Sequence, residues 1–321
     1  MIFSTHPLHP EVTKALRALG PFRVASAPVA QAIVAESAGA EIIVVRATIP
    51  AKIIGREAGL RALIRHGAGL DMIPLAEATA AGVLVANVPG ANAVTVAEHA
   101  IWTAAALLRR YPQVSRDLHK KGWDASRAHA EHGREMTGKV LGVLGMGHIG
   151  RALARIAVHG FAMPVLCHTR SGTAPEGGQP VSFADLLAQS DILVLCAPLT
   201  DQTRGIVDAA AFARMKPGAI LVNVARGPLV VEAALIAALV SGHLGGAAID
   251  VFDTQPLPPD HPFLALPNVI LTPHLTGVTA ESMLRMGQGV VAEVQRVVAG
   301  DLPCNLVNPA SVGLYRQRFP G

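Results

Sequence analysis

Residues 140–160 read VLGVLGMGHIGRALARIAVHG, and this stretch decides the fold. The apolar run VLGVLG reads as a strand and runs straight into Gly145-Met146-Gly147-His148-Ile149-Gly150, from which RALARIAVHG opens as a helix. In such a turn the first glycine makes the tight bend. The second lets the backbone approach a pyrophosphate, and the third lets helix pack on strand. The helix N-terminus adds free N–H groups and the positive end of its dipole. A bare GxGxxG carries little, but between a strand and a helix it implies a dinucleotide site at Gly145, Gly147, His148, Ile149 and Gly150.

Around that unit the alternation continues. MPVLCH, DILVLC, AILVNVA, GGAAIDVF and PNVILTPH read as further strands. Upstream, MIFST, FRVASA, EIIVVRA, LRALIRHG and VLVANV read as strands of an earlier series, with PEVTKALRALG, AQAIVAESAG and PLAEATAAG as helices between them. A long helix is expected from Thr95 to about Tyr111, with Thr95 and Glu98 spaced as a capping box. The polar, His-rich segment from Lys120 to Thr137 reads as helix plus loop, and TAESMLRMGQGVVAEVQRVVAG as a late helix. Two successive series predict an α/β protein with two Rossmann-like, doubly wound parallel-sheet domains.

Composition agrees. A chain of 321 residues, 51% apolar and 16% charged, suits two packed domains and excludes disorder. The net charge of +4 is modest, and the pairs Arg109-Arg110 and Lys120-Lys121 are too short for a nucleic-acid footprint. Between Glu77 and Glu98, a weakly charged stretch is broken by Asn87, Pro89, Gly90 and Asn92, so no spanning helix is expected there. Three scattered cysteines, Cys167, Cys196 and Cys304, form no CxxC pair. With no basic, apolar leader at MIFSTHPLHPE, a reduced, cytoplasmic protein is expected. His6, His9, His129 and His132 have no metal-ligand spacing, so no metal is expected.

The residue that meets the adenosine ribose should lie about 20 residues past the glycines. An NAD-selective site places Asp or Glu there. Here the strand ends in Thr169-Arg170-Ser171, with no acid until Glu176. A guanidinium with two hydroxyls suits a 2′-phosphate, so NADP is expected over NAD.

Three polar residues stand at strand ends of the second series, where open α/β sheets bind ligands: Arg226 in NVARGPLV, Gln255 in AIDVFDTQPLP and His274 in LTPHLTG. Together with LGVLGMGHIG, CAPLTDQTRGIV, MKPGAILVNVARGPLVVEAAL and NVILTPHLTG, these segments resemble the D-isomer-specific 2-hydroxyacid dehydrogenases, which include phosphoglycerate dehydrogenases and glyoxylate/hydroxypyruvate reductases. The likeness covers nearly the whole chain. It implies an oxidoreductase passing a hydride between a nicotinamide dinucleotide and C2 of a small 2-oxo or 2-hydroxy acid.

By that resemblance Arg226 holds the substrate's carboxylate and carbonyl oxygen, and His274 is the acid/base on that oxygen. A carboxylate needs an orienting cation, and an oxygen gaining charge needs a proton donor near neutral pH. Gly67-Ala68-Gly69 and Arg46 match substrate-facing positions, and Asn92 falls in the interdomain segment. Arg46 suits a second anionic group on the substrate or a structural carboxylate, the two weighing equally. Ala197, Pro198, Thr203, Ala225, Asp250, His274 and Gly277 match cofactor positions, with Asp250 near the nicotinamide amide or, alternatively, capping a turn. The resemblance further implies a cofactor domain (98–287) inserted into a smaller flavodoxin-like substrate domain (1–97 with 288–321), catalysis between them, and a homodimer.

The sequence departs from the family at Gln255, where glutamate is usual. A neutral amide orients the imidazole without the charge that favours its protonated form. The Gln–His pair also resembles formate dehydrogenases, whose reaction needs no proton transfer, though the Thr169-Arg170-Ser171 strand end weighs against that branch. Another reading is a dinucleotide-sensing co-repressor, as in the C-terminal binding proteins.

Overall fold

The computed structural model describes residues 1–56, 58–174 and 177–320, so Glu176 lies outside the described residues. The chain divides into two compact units, Met1–Asn92 with Val278–Gly321, and Ala93–Gly277. The units part just ahead of two helices. Ala93–Leu108 therefore stays whole in the second unit and Ala280–Val298 in the first, whereas the sequence reading put the breaks inside them.

In the first unit, β1 (Ile2–Ser4), β2 (Phe22–Val24), β3 (Ile42–Val45), β4 (Ala62–Arg65) and β5 (Leu84–Ala86) form a parallel sheet in the order β2-β1-β3-β4-β5. That is the flavodoxin-like order. Side chains alternate between the two faces: Phe3, Ile43, Leu63 and Val85 enter one apolar cluster, and Ile2, Val44, Ile64 and Leu84 the other. With helices on both faces the strands read as continuous apolar runs rather than alternating ones. The helix Ala280–Val298 starts on a capping box made by Thr279 and Ser282, and its Val290, Val294 and Val297 complete one cluster. A Cβ on Gly287 would stand 2.3 Å from Val12 Cγ2, so a bare backbone is what lets this helix lie close.

In the second unit, β6 (Leu141–Leu144), β7 (Val165–His168), β8 (Gln179–Pro180), β9 (Ile192–Leu195), β10 (Ala219–Asn223), β11 (Leu244–Ile249) and β12 (Val269–Leu271) form a seven-stranded parallel sheet. Its order, β12-β11-β10-β9-β6-β7-β8, is the Rossmann winding with one further strand. β8 escaped the sequence reading because it is two exposed residues, one of them Pro180. It survives at the sheet edge, where a missing N–H costs no ladder bond.

The helix expected over 95–111 runs from Ala93 to Leu108. Thr95 and Glu98 therefore lie inside it, and the capping box drawn from their spacing does not start it. The helix stops at Arg110, whose left-handed φ of 53° redirects the chain into a new helix, Tyr111–Lys121, with Pro112 in its first turn. The His-rich segment continues as the helix Trp123–Arg127 and a 3₁₀ turn, Ala128–His132.

Strand order reverses between β6 and β9, and there the three glycines divide their work. Gly145, at φ +96°, lies so close to the loop after β9 that a Cβ would stand 2.8 Å from Ala197 N. A Cβ on Gly150 would stand 2.4 Å from the Gly145 carbonyl oxygen. Gly147, the N-cap of the helix His148–Phe161, has nothing within 4 Å of its Cβ position. Two glycines thus serve packing, and the middle one leaves its backbone open toward a ligand. Gly150→Ala should lower unfolding free energy in urea by about 1–3 kcal/mol. Gly147→Ala should stay within about 0.5 kcal/mol of wild type yet weaken NADPH binding in a fluorescence titration. Equal effects from the two substitutions would contradict this division.

Candidate active site

A cavity of about 1010 Å³ opens at the carboxyl ends of β6, β7 and β9. Gly145 and Gly147 line it on one side, Thr169, Arg170 and Ser171 at the end of β7, and Ala197, Pro198 and Thr203 beyond β9. His148 and Ile149 lie in the first turn of the glycine-turn helix, and Gly150 is buried beneath it. The residues fit a dinucleotide: an open glycine backbone, a helix N-terminus, and polar groups about 20 residues further on.

The hydroxyls shape this wall as well as facing it. Thr169 Oγ1 donates to the Thr173 carbonyl at 2.7 Å, and Ser171 Oγ meets Thr173 Oγ1 at 2.8 Å. Thr203 Oγ1 donates to the Pro198 carbonyl at 2.8 Å and accepts from Thr200 N at 2.8 Å, which fixes that turn. Arg170 is exposed, and no carboxylate pairs with it among the described residues. The sequence reading missed Arg151, which lines the same cavity from the first helical turn. Its signal was available: the residue after the third glycine emerges beside the phosphate-binding N-terminus. Cys196 also lines the cavity, and burial pushes its thiol up to about 12, so it stays protonated.

Farther along the same sheet edge, Asn223 ends β10 fully buried. Its Oδ1 accepts from Ala225 N at 3.1 Å and its Nδ2 donates to the Arg226 carbonyl at 3.0 Å. This side-chain turn, legible only as an Asn before a strand end, throws Arg226 off the sheet. Arg226 Nη1 donates to the Ala225 carbonyl at 2.6 Å. Beside it, a Cβ on Gly227 would stand 2.1 Å from the Phe252 carbonyl carbon, so only glycine fits.

Asp250, at the end of β11, is 1% exposed. Its Oδ1 accepts from Thr272 Oγ1 at 2.6 Å and Leu275 N at 2.8 Å; its Oδ2 accepts from Thr276 Oγ1 at 2.8 Å and Thr276 N at 3.2 Å. Four donors fill the carboxylate's lone-pair sites. The turn-fixing alternative is therefore what its contacts display. The pinned segment carries His274, whose φ of 55° places a non-glycine residue in the left-handed region, and leads on to Gly277. His274 N is held in turn by the carbonyls of Asp250 at 2.9 Å and Thr272 at 3.0 Å.

The His274 ring is exposed, and its Nδ1 lies 3.1 Å from Gln255 Oε1. Gln255 Nε2 faces the Phe252 carbonyl at 3.5 Å, a long contact that nevertheless fixes which end of the amide meets the ring. An acceptor at Nδ1 requires that nitrogen to carry the proton, which leaves Nε2 as the exchanging atom.

The remaining predicted residues belong to the first unit. Arg65 clamps the loop after β4, donating from Nε to the Gly69 carbonyl at 3.0 Å and from Nη1 to the carbonyls of Val45 at 3.0 Å and His66 at 2.7 Å. Asn87 Nδ2 holds the Ala68 carbonyl at 2.8 Å. The amides of Ala68 and Gly69 donate to no protein group among the described residues. Asn92 closes this unit, half-buried. Arg46, at the end of β3, donates from Nη1 to the Pro7 carbonyl at 2.7 Å and lies 3.9 Å from Met283 Sδ. No carboxylate pairs with it among the described residues.

No helix among the described residues is long and apolar enough to cross a membrane. The family description "D-isomer specific 2-hydroxyacid dehydrogenase, NAD binding domain" matches residues 101–276. The D-3-phosphoglycerate dehydrogenase of Mycobacterium tuberculosis is 38% identical over 290 residues, 89% of this chain and 52% of that relative. The chain thus spans about half the length of the first curated relatives it matches. Glyoxylate/hydroxypyruvate reductase B of Citrobacter koseri is 36% identical over 83% of both chains. A solved NADPH-dependent glyoxylate/hydroxypyruvate reductase of Sinorhizobium meliloti superposes with a TM-score of 0.83 at 28% identity, covering 96% of this chain and 98% of that one. By these likenesses the chain belongs to the D-isomer-specific 2-hydroxyacid dehydrogenase family.

Proposed function

We propose that this chain is an oxidoreductase that reduces a small 2-oxo acid to the D-2-hydroxy acid, and runs the reverse reaction, with NADP preferred over NAD. One observation carries this reading: a single sheet edge presents the glycine turn and its cavity, then Arg226, then the Gln255–His274 pair. The nicotinamide would supply the hydride when bound. At the phosphates the cofactor would be held by Gly147, His148 and Ile149 on the turn that Gly145 and Gly150 let close, and at the ribose by Thr169, Arg170 and Ser171. Ala197, Pro198, Thr203, Ala225, His274 and Gly277 are assigned to the rest of its length, with Asp250 fixing the turn that carries His274.

The protein's own part is orientation and proton transfer. The Arg226 guanidinium suits the carboxylate and carbonyl oxygen of the acid, fixing which face of C2 is presented. The free amides of Ala68 and Gly69, with Arg46 and Asn92, are assigned to the same substrate. His274 Nε2 donates its proton to the carbonyl oxygen as charge develops there, and takes it back from the hydroxyl in reverse. Gln255 acts through the ring: it holds Nδ1–H and so aims Nε2.

The NADP preference is supported by Arg170, which meets no carboxylate among the described residues, and by Arg151 on the same cavity; a 2′-phosphate would satisfy both. The solved relative from Sinorhizobium meliloti is NADPH-dependent. A homodimer is supported by Trp102, Tyr111 and Trp123, which are 57%, 58% and 69% exposed on consecutive helices of the second unit. A second copy would cover them. Free thiols at Cys167, Cys196 and Cys304 support a cytoplasmic location.

Two experiments test this reading. Purified protein mixed with glyoxylate, hydroxypyruvate, pyruvate or their 3-substituted anions should consume NADPH faster than NADH, followed by cofactor absorbance. No turnover with any of them would reject the enzyme. The second concerns pH. Reduction needs the protonated ring, so its rate falls as pH rises, and a carboxylate beside Nδ1 favours the protonated form. Gln255→Glu should therefore move the basic limb of kcat/KM upward by about half to one pH unit, the pair being too exposed for more. An unmoved limb would contradict the role given to Gln255.

A further inference from the structure

Gln255, which holds the His274 ring, stands in a loop rather than on a strand or helix. Residues 253–261 read DTQPLPPDH, and three of these nine are prolines with no N–H to donate. The backbone therefore has little means of fixing the loop from within. The core sets its two ends. Phe252, just before it, and Phe263, just after it, have ring centroids 6.4 Å apart and share one apolar cluster.

A single side chain then ties the loop from outside. Glu232, the first residue of the helix Glu232–Val240, accepts at Oε1 from Asp253 N, 2.9 Å away, and its Oε2 meets His261 Nε2 at 3.3 Å. The second contact has a defined proton. His261 Nδ1 accepts from Phe263 N at 3.3 Å, capping the 3₁₀ turn Pro262–Ala265, so Nε2 carries the hydrogen and donates it to the carboxylate. Glu232 and His261 are 20% and 14% exposed, which shields the pair from water. One carboxylate thus closes both ends of the loop, and Gln255 lies two residues beyond the first tie.

An acid in a helix's first turn ordinarily serves the dipole. That role does not account for where this one points. Burial, then Glu232, pushes the Asp253 carboxyl up against the opposing pull of Arg204, so Glu232 keeps its place beside a like charge. A dipole would be served as well by a carboxylate turned toward solvent. The segment 226–232 also meets the loop at its other end, where a Cβ on Gly227 would stand 2.5 Å from Asp253 N. The stretch that presents Arg226 is therefore the one that holds the Gln255 loop.

We propose that Glu232 is a positioning residue: by clamping Asp253 and His261 it keeps Gln255 Oε1 on His274 Nδ1, and so decides which nitrogen of that ring carries the proton. Its part in turnover rests on the reductase reading above; its effect on the ring does not.

Long-range proton–nitrogen NMR of the full chain, labelled at histidine and held at a pH where imidazoles are neutral, reads that tautomer. The His274 signals are assigned by their loss in His274→Ala. Wild type should carry the proton on Nδ1. An unrestrained imidazole prefers it on Nε2, so Gln255→Ala and Glu232→Ala should both move His274 to mostly Nε2–H, a change that lost stability alone does not produce. Glu232→Gln, which keeps an acceptor for Asp253 N, should restore part of the Nδ1–H form. His261→Phe cuts the second tie alone and reads the same change if the Glu232 variants fail to fold. In turnover, Glu232→Ala should lower kcat by about one to two orders of magnitude with NADPH affinity unchanged.

An Nδ1–H ring in Glu232→Ala and His261→Phe, where Gln255→Ala has lost it, would overturn the clamp and leave the role of Gln255 intact. A wild-type ring protonated at Nε2 would overturn both. The full set of tautomer changes without turnover of any 2-oxo acid would support the clamp and remove the reductase reading.

Discussion

The four hydrogen bonds that fill the Asp250 carboxylate are the constraint on which the proposed chemistry depends. They tie the end of β11 to residues 272–276, so the loop after β12 has one conformation rather than many. A left-handed backbone at His274 is unfavourable by itself and persists because the surroundings fix it. The strain is set by a buried carboxylate, and its product is a histidine displayed at the sheet edge with its Nδ1 held by Gln255.

The same device recurs along that edge. Asn223 fixes the turn that releases Arg226, and Gly227 lets it lie against the Phe252 carbonyl. Thr203 fixes the loop after β9, against which Gly145 packs. In each case a polar side chain spends its hydrogen bonds on backbone, so that a neighbour is presented outward. The His274 ring is exposed, while Asp250 and Asn223, which fix the turns carrying it and Arg226, are buried, as a preformed site requires.

Much of this was legible in the sequence. The glycine turn announced itself between strand and helix, and the apolar runs marked every strand but one. Gln179–Pro180 has no apolar run to read; sheet-edge pairing alone makes it a strand. The capping box at Thr95 and Glu98 failed because spacing cannot tell a cap from an ordinary pair inside a helix that starts earlier. Arg226, Gln255 and His274 were found by motif, and their proximity to other groups by coordinates only. Arg151 went unread although its place after the third glycine marks it, and Asn223 because its burial is a property of the folded chain.

Isotope tracing tests most directly whether the protein transfers a hydride to C2 of a 2-oxo acid. NADPH carrying deuterium at the transferable C4 position is incubated with the protein and a 2-oxo acid, and the acid is recovered for mass spectrometry. Deuterium should appear at C2 of the D-2-hydroxy acid, in amount equal to the cofactor oxidised. Label remaining wholly in the cofactor while the acid is recovered unchanged would contradict it.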